Sequence, residues 1–336
     1  MAYIHVKKVG NTSYYSLRVS IRKGDKVITK DLENLGTDIT KINLSNLEKK
    51  YNKDIRNSYR KIKRVLESEY YLYKAKQQKN KRRSFLSKEQ IDLIEACHLH
   101  YKKVFSKTES LTKKETYKWF LIKFAVSSSS IEGNTITLQE AEKLFNEHRL
   151  PKDRTLREVY DLQNTEKIFF ELIQNSPTIT IELIETIHDG LLEKIDQRKG
   201  YRKTDIRLLG QPFKPTPGRY VQTDLKMLLK WYKKMEHQLH PLELALFFHH
   251  KFESIHPFAD GNGRTGRIIL NLILLKKKYP PFLVLQTQRN EYLDTLSKAD
   301  QALKKNILST DMENYQDFFN FMVTQFIETY WNTFLI

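Results

Sequence analysis

Residues 268–275 read Ile-Ile-Leu-Asn-Leu-Ile-Leu-Leu. A helix apolar almost all round has no face for water, so it must run through the middle of a body that other helices enclose. The chain supplies them. Apolar residues at helical spacing predict helices near 113–132, 139–147, 155–174, 180–195, 222–236, 241–255, 263–278, 289–303 and 312–334. Ser87, with Gln90 at the capping-box position, opens another. Leu44, Leu47, Tyr51, Ile55, Tyr59, Ile62 and Leu66 also recur at helical spacing, with Asn43 or Ser45 as the cap. Residues 200–221 interrupt the series with Gly200, Gly210, Pro212, Pro215, Pro217 and Gly218. Within them, residues 205–209 alternate like a short strand, which predicts a hairpin or flap on a helical body.

The other β signal is N-terminal. Tyr3 to Val6 and Tyr14 to Ile21 alternate in period two, and Val27-Ile28-Thr29 supplies a third strand. Gly10-Asn11 and Lys23-Gly24-Asp25 are turn signals between them. A sheet this small needs something to pack on. Residues 77–83 are polar and basic and read as a loop or linker.

Composition excludes several classes. A single cysteine among 336 residues rules out an intrachain disulfide scaffold and suits a reducing cytosol. No run of about 18 apolar residues occurs, so no spanning helix and no membrane role are expected. The first eight residues lack the apolar stretch of a signal peptide, and the expected location is cytoplasmic. Lys and Arg number 58 against 40 Asp and Glu, a net charge of +18. The excess is uneven: residues 1–100 hold 23 basic and 11 acidic groups, and residues 41–90 hold 16 and 5. That strip is a candidate site for DNA or another polyanion through counterion release; the plainer reading is a solvated helix face.

Chemistry concentrates in residues 256–267, His-Pro-Phe-Ala-Asp-Gly-Asn-Gly-Arg-Thr-Gly-Arg, between two helices. Backbone amides at a helix start make an anion site, and Gly261 and Gly263 let the chain turn and a phosphate approach. Arg264 and Arg267 offer forked donors to separate phosphate oxygens. Asp260 is the hard oxygen ligand that a phosphate-bound Mg²⁺ takes. Asn262 offers an amide donor, and His256 a base with a pKa near neutrality. These residue types describe a nucleotide triphosphate–Mg²⁺ site with a hydroxyl-activating base. Residues 261–266 also match G-x-G-x-x-G, but that fingerprint needs a preceding strand, and the preceding segment reads as helix.

Residues 256–267 resemble the Fic family signature, H-x-F-x-D/E-G-N-G-R-x-x-R, at every defined position. The resemblance covers roughly residues 115–305. It implies a mainly α fold, a Fic-type helical bundle with a β-hairpin flap, here joined to a small N-terminal antiparallel sheet and a basic helical segment. The expected division is 1–38 sheet, 39–112 basic helical region, 113–305 Fic core and 306–336 C-terminal helix. The implied activity is transfer of AMP from ATP to a Ser, Thr or Tyr hydroxyl of a protein, with ATP and Mg²⁺ bound. His256 resembles the general base, Asp260 the Mg²⁺ ligand and Asn262 the donor to the α-phosphate. The backbone at Gly261, Gly263 and Thr265 resembles the anion hole, Gly266 counts with the nucleotide-binding residues, and Arg264 and Arg267 resemble the contacts to the β- and γ-phosphates. Phe258 resembles the loop's anchor in the core. Tyr279-Pro280-Pro281 and residues 288–292 resemble the adenine pocket, with Tyr292 as base contact. Residues 201–210, with Arg207, Leu208, Leu209 and Gly210, resemble the flap that holds a target peptide. Family members often form homodimers.

Ser128 and Glu132 stand one turn apart before Gly133, which marks a helix end. A carboxylate there opposes the helix dipole, so something must offset it. The segment resembles the family's inhibitory motif, S/T-x-x-x-E-G/N, whose Glu pairs with the second signature arginine, here Arg267, from a helix expected at 113–133. In some relatives the same Glu supports AMP removal. Two other readings stand beside this one: a nucleic-acid-binding regulator whose Fic core is sensory or silent, and a transferase of another nucleotide. His249 and His250 read as packing or flap-facing residues, and His188 as a local organiser. Phe318, Phe319, Phe321, Phe326, Trp331 and Phe334 read as core or a dimer face.

Overall fold

The computed structural model describes residues 1–10, 12–78, 84–206, 214–304 and 306–336. Strands β1 (Ala2–Val9), β2 (Thr12–Lys23) and β3 (Lys26–Gly36) form an antiparallel sheet in that order. Ala2 lies opposite Val19 and Ile4 opposite Leu17, so their side chains share one face. That face packs on α1 (Leu44–Ile55) and α2 (Tyr59–Lys76), where Leu47, Ile55, Ile62 and Leu66 close a small core. Asn43 caps α1. The helical pattern of 44–66 is split in two by a non-helical Tyr51 and a 3₁₀ turn at Arg56–Ser58. β3 outruns its three-residue sequence signal: its polar residues are held by pairing with β2, through two register shifts, rather than by burial.

The large core is helical. It takes in α3 (Lys88–Lys103), opened by the Ser87–Gln90 capping box, and the end of α4 (Ser110–Ile131). α5 (Leu138–Glu147) stands apart from it, packing Ala141 and Leu144 with Ile122 and Val126 of α4 in a third small cluster; α6 (Leu156–Asn175), α7 (Ile181–Leu191), α8 (Val221–Met235) and α9 (Pro241–Ile255) follow in the large core. α10 (Asn262–Lys276), α11 (Arg289–Ala299) and α12 (Met312–Thr333) complete it. α10 is the central helix: Ile268, Ile269, Leu272, Ile273 and Leu274 are wholly buried. Its one polar residue in that stretch, Asn271, bonds both N–H and C=O of its surroundings, donating to Phe282 and accepting from the Phe282 amide. A satisfied amide is what makes such burial tolerable.

Two helices stop early. α7 ends at Leu191, and Lys194 turns to φ 63° beyond it. α11 passes into a 3₁₀ turn at Asp300–Leu303. The aromatic stripe of α12 and Phe334 is buried in the large core, which removes it as a dimer face. No helix among the described residues is long and apolar enough to cross a membrane.

Candidate functional site

α9 ends at His256, whose backbone is left-handed (φ 50°, ψ 63°). A histidine in that region is strained, and Arg202 holds it there. Its guanidinium donates to the carbonyls of His256 (2.7 Å), Ile255 (3.0 Å), Thr204 (2.8 Å) and Thr216 (2.5 Å), and its amide donates to Pro257. One buried cation thus closes the end of α9 and pins both approaches to residues 207–213. Next, Phe258 inserts into the core, stacked on His188 at 3.7 Å. His188 also spans Asp189 and the Asp260 carbonyl, as befits a local organiser. Asn262 clamps the loop, its amide both donating to and accepting from the Phe258 backbone at 2.9 Å. Gly261 caps α10 at φ 76°, a conformation glycine adopts without penalty.

His256 borders an open cavity of about 150 Å³, shared with Glu132, Glu253, Gly263, Arg267 and Tyr292. Burial, aided by the Arg202 charge, lowers the His256 pKa to about 4, so the imidazole is neutral at pH 7. Arg267 donates to Ser128 Oγ (3.0 Å), the Ser128 carbonyl (2.9 Å) and Glu132 Oε1 (2.7 Å). Burial would raise the Glu132 carboxyl, yet the Arg267 charge and hydrogen bond hold it below the usual range. This is the offset that a carboxylate at the end of α4 requires. Gly133 follows at φ 102°. A Cβ on Gly263 would lie 2.2 Å from Glu132 Oε1 and 2.9 Å from the Arg267 guanidinium, so the pair in this arrangement uses the space that glycine leaves there.

Asp260 accepts from Arg157 (2.6 Å) and from the Gly261 amide (2.6 Å). Arg264 is buried and paired with Asp161, and Asp161 also accepts from Asn134 beyond the end of α4. Arg264 keeps a buried Nε without an acceptor among the described residues. The Thr265 amide bonds the Gly261 carbonyl, so the amides of the first turn, at Asn262, Gly263 and Arg264, are those without an intrahelical acceptor. Of the stretch read as an anion hole, Gly261 and Thr265 therefore have their N–H groups engaged. Gly266 serves packing: a Cβ there would meet Glu253 at 2.3 Å.

Tyr292 lines the cavity, its hydroxyl bonded to His249 at 2.6 Å, with Leu293 and Leu296 beside it. Tyr279 lies elsewhere, stacked on His98, while Phe282, three residues on, is held by the Asn271 side chain of α10. His249 and His250 are buried packing residues, and His250 bridges Tyr315 and Asp300. Arg207, Leu208, Leu209 and Gly210 lie outside the described residues.

Sequence reasoning missed the roles of Arg202, Arg157, Asp161, Arg289 and Glu253, although Arg202 and Arg289 fall in the stretches read as flap and adenine pocket. Arg202 and Arg157 act through partners 54 and 103 positions away. Arg289 donates to the Ile131 carbonyl at 2.7 Å and ties α11 to the last turn of α4. Glu253 lines the cavity, and burial raises its pKa to about 8, with Glu132 and Asp300 adding and Arg267 opposing. Its place one turn before His256 was the only signal for it.

Residues 178–274 match the Fic/DOC family. A protein of Aquifex aeolicus (strain VF5) named a probable protein adenylyltransferase is 32% identical over 197 residues, 57% of this chain and 56% of that protein. The protein adenylyltransferase Fic of Drosophila yakuba is 30% identical over 200 residues, 56% of this chain and 38% of its own length. The chain thus spans about half the length, or less, of these curated relatives. A Fic-domain-containing signaling protein of Bacteroides thetaiotaomicron shares the fold at a TM-score of 0.66 and 20% identity, over 72% of this chain and 96% of its own.

Proposed function

We propose that this chain, whose residues 178–274 match the Fic/DOC family, is a protein adenylyltransferase restrained by its own Glu132. It moves AMP from ATP to a Ser, Thr or Tyr hydroxyl of a protein. The observation that carries this reading is the shared cavity: a neutral imidazole at His256, the N-terminal turn of α10 at Gly263, and the Arg267 guanidinium all border it.

The chemistry follows from those positions. The target hydroxyl gives its proton to His256 as its oxygen bonds the α-phosphorus. The bond from that phosphorus to the bridging oxygen breaks, and pyrophosphate leaves. The first-turn amides of α10 face the charge that builds on the phosphates, with no reorganisation needed at that moment. Arg264 and Arg267 fix the outer phosphates, and the buried Arg264 Nε is suited to such an acceptor. Tyr292 and Leu296 offer an apolar wall to the base. Asp260 fits a Mg²⁺ that arrives on the phosphates, since such an ion takes one or two carboxylates and keeps its waters. Mg²⁺ would supply charge neutralisation there, and Arg157 would have to yield the carboxylate.

Glu132 opposes all of this. It occupies the fork of Arg267, and with it in place the cavity is smaller than the roughly 300–1,000 Å³ of ordinary ligand clefts. The test is label transfer from ATP with Mg²⁺. Protein should take α-label strongly in Glu132→Gly and lose it when His256→Ala is added. Label from the γ position would mean phosphotransfer and would overturn the reading. The same reading extends to AMP removal, with the Glu132 carboxylate orienting a water; a modified target untouched by wild type and by Glu132→Gly alike would discard that extension.

A further inference from the structure

Every residue from Ile21 to Asp31 is exposed. The β2–β3 hairpin therefore runs on past the helices that cover the sheet as a free two-stranded ribbon. Its base is held by Tyr51, which donates to the Leu32 carbonyl, and by the Lys50–Glu33 pair. On β3 the exposed run from Lys26 to Asp31 extends ~17 Å at the usual rise per residue, and on β2 the exposed part begins at Ile21, after the buried Val19. It carries Arg18, Arg22, Lys23, Lys26 and Lys30 against Asp25 and Asp31. Arg18 pairs with Asp31 at 2.5 Å, which leaves four cations without a carboxylate partner among the described residues. Val27 is 69% exposed, Ile28 47% and Ile21 43%.

We propose that this ribbon is a duplex-DNA-binding arm that lies in the major groove. It is independent of the AMP-transfer reading. A major groove about 12 Å wide admits a two-stranded ribbon. The register sets the ribbon's two faces. Arg18–Asp31, Ser20–Thr29 and Arg22–Val27 pair on one face, so forked donors, a carboxylate, hydroxyls and the methyls of Thr29 and Val27 stand together. Those are the groups that read base edges and the thymine methyl. Lys23, Lys26 and Lys30 sit on the other face, and their long stems reach the flanking phosphates. The apolar residues argue against a membrane. Val27 lies on one face and the Ile21–Ile28 pair on the other, so no single face can insert. Double-stranded RNA is disfavoured too, since its major groove is too deep and narrow for a ribbon.

The test uses the full chain and a labelled 30-base-pair DNA duplex in fluorescence anisotropy. If Arg22, Lys23, Lys26 and Lys30 each displace a counterion, affinity should fall about a hundredfold between 50 and 200 mM salt. Arg22→Ala with Lys26→Ala should flatten the log–log salt slope by about 2. Arg22→Glu with Lys26→Glu should weaken binding at least ~tenfold, while AMP transfer stays at the parent's level. Lys102→Glu with Lys103→Glu, an exposed basic pair on α3, should leave binding unchanged. The proposal is overturned by no binding at 50 mM salt, by equal loss from the α3 pair, or by equal affinity for double-stranded RNA or anionic vesicles.

Discussion

Glu132 accepts a 2.7 Å charged hydrogen bond from Arg267, 135 positions away, at the far side of a gap left by the missing side chain of residue 263. Both partners are ionised at neutral pH, and the contact uses the space that glycine leaves at that single place.

Gly263→Ala should therefore have opposite effects in two backgrounds. In the wild type the added methyl meets Glu132 Oε1 and separates the pair, which costs about 1.5–3 kcal/mol for a charged hydrogen bond. In Glu132→Gly only the far end of the Arg267 guanidinium, 2.9 Å from the added Cβ and freed of its carboxylate partner, has to shift, and alanine in a helix should stabilise by up to about 1 kcal/mol. Denaturant midpoints of the four proteins check the change of sign. Destabilisation of equal size in both backgrounds would mean that something other than Glu132 fills the gap.

Arg202→Ala should separate catalysis from nucleotide binding. The variant leaves buried carbonyls of Ile255 and His256 without their donor, so His256 loses its left-handed anchor. Measured in the Glu132→Gly background, AMP transfer should fall by at least ~tenfold. Calorimetric affinity for a non-hydrolysable ATP analogue should hold within about threefold, because Arg202 does not border the cavity. Arg202→Lys should rescue little, since one ammonium cannot serve four carbonyls in a plane.

Acid should leave the base in service. Burial lowers His256 to about 4, so the neutral imidazole persists below pH 6. The transfer rate of Glu132→Gly should change less than about twofold between pH 7 and 5.5, where a histidine with the ordinary value near 6.5 would lose about eightfold. Stability moves the other way. A depressed histidine binds its proton only when unfolded, so its contribution is full above about 6.5 and declines as pH falls toward 4. Rate profiles and denaturant midpoints across that window check both signs.

Much of this site was legible because its residues are contiguous. His256 to Arg267 carry their chemistry within twelve positions, and α9 and α10 on either side announce themselves by apolar spacing. Glu132 was legible for a different reason: a carboxylate beside Gly133 at a helix end demands a cation, and the structure supplies Arg267. Arg202, Arg157 and Asp161 were not legible. Their roles depend on backbone carbonyls and side chains brought close only by folding, and a lone Arg or Asp on a polar stretch looks like surface. Tyr279 shows the converse. A Tyr-Pro-Pro run near the site in sequence lies away from it, with Tyr279 on His98 and Phe282 held by Asn271.

α2 contributes Ile62 and Leu66 to the small core and Tyr71, Leu72 and Ala75 to the large one. Eighteen unbroken helical residues make a rod ~27 Å long. The sheet is thus mounted on the helical body as an outrigger, through a stiff spar instead of a slack tether. A pull on the ribbon arrives at the large core as torque on Tyr71 and Leu72, and the angle at which the arm is presented is set when the body folds.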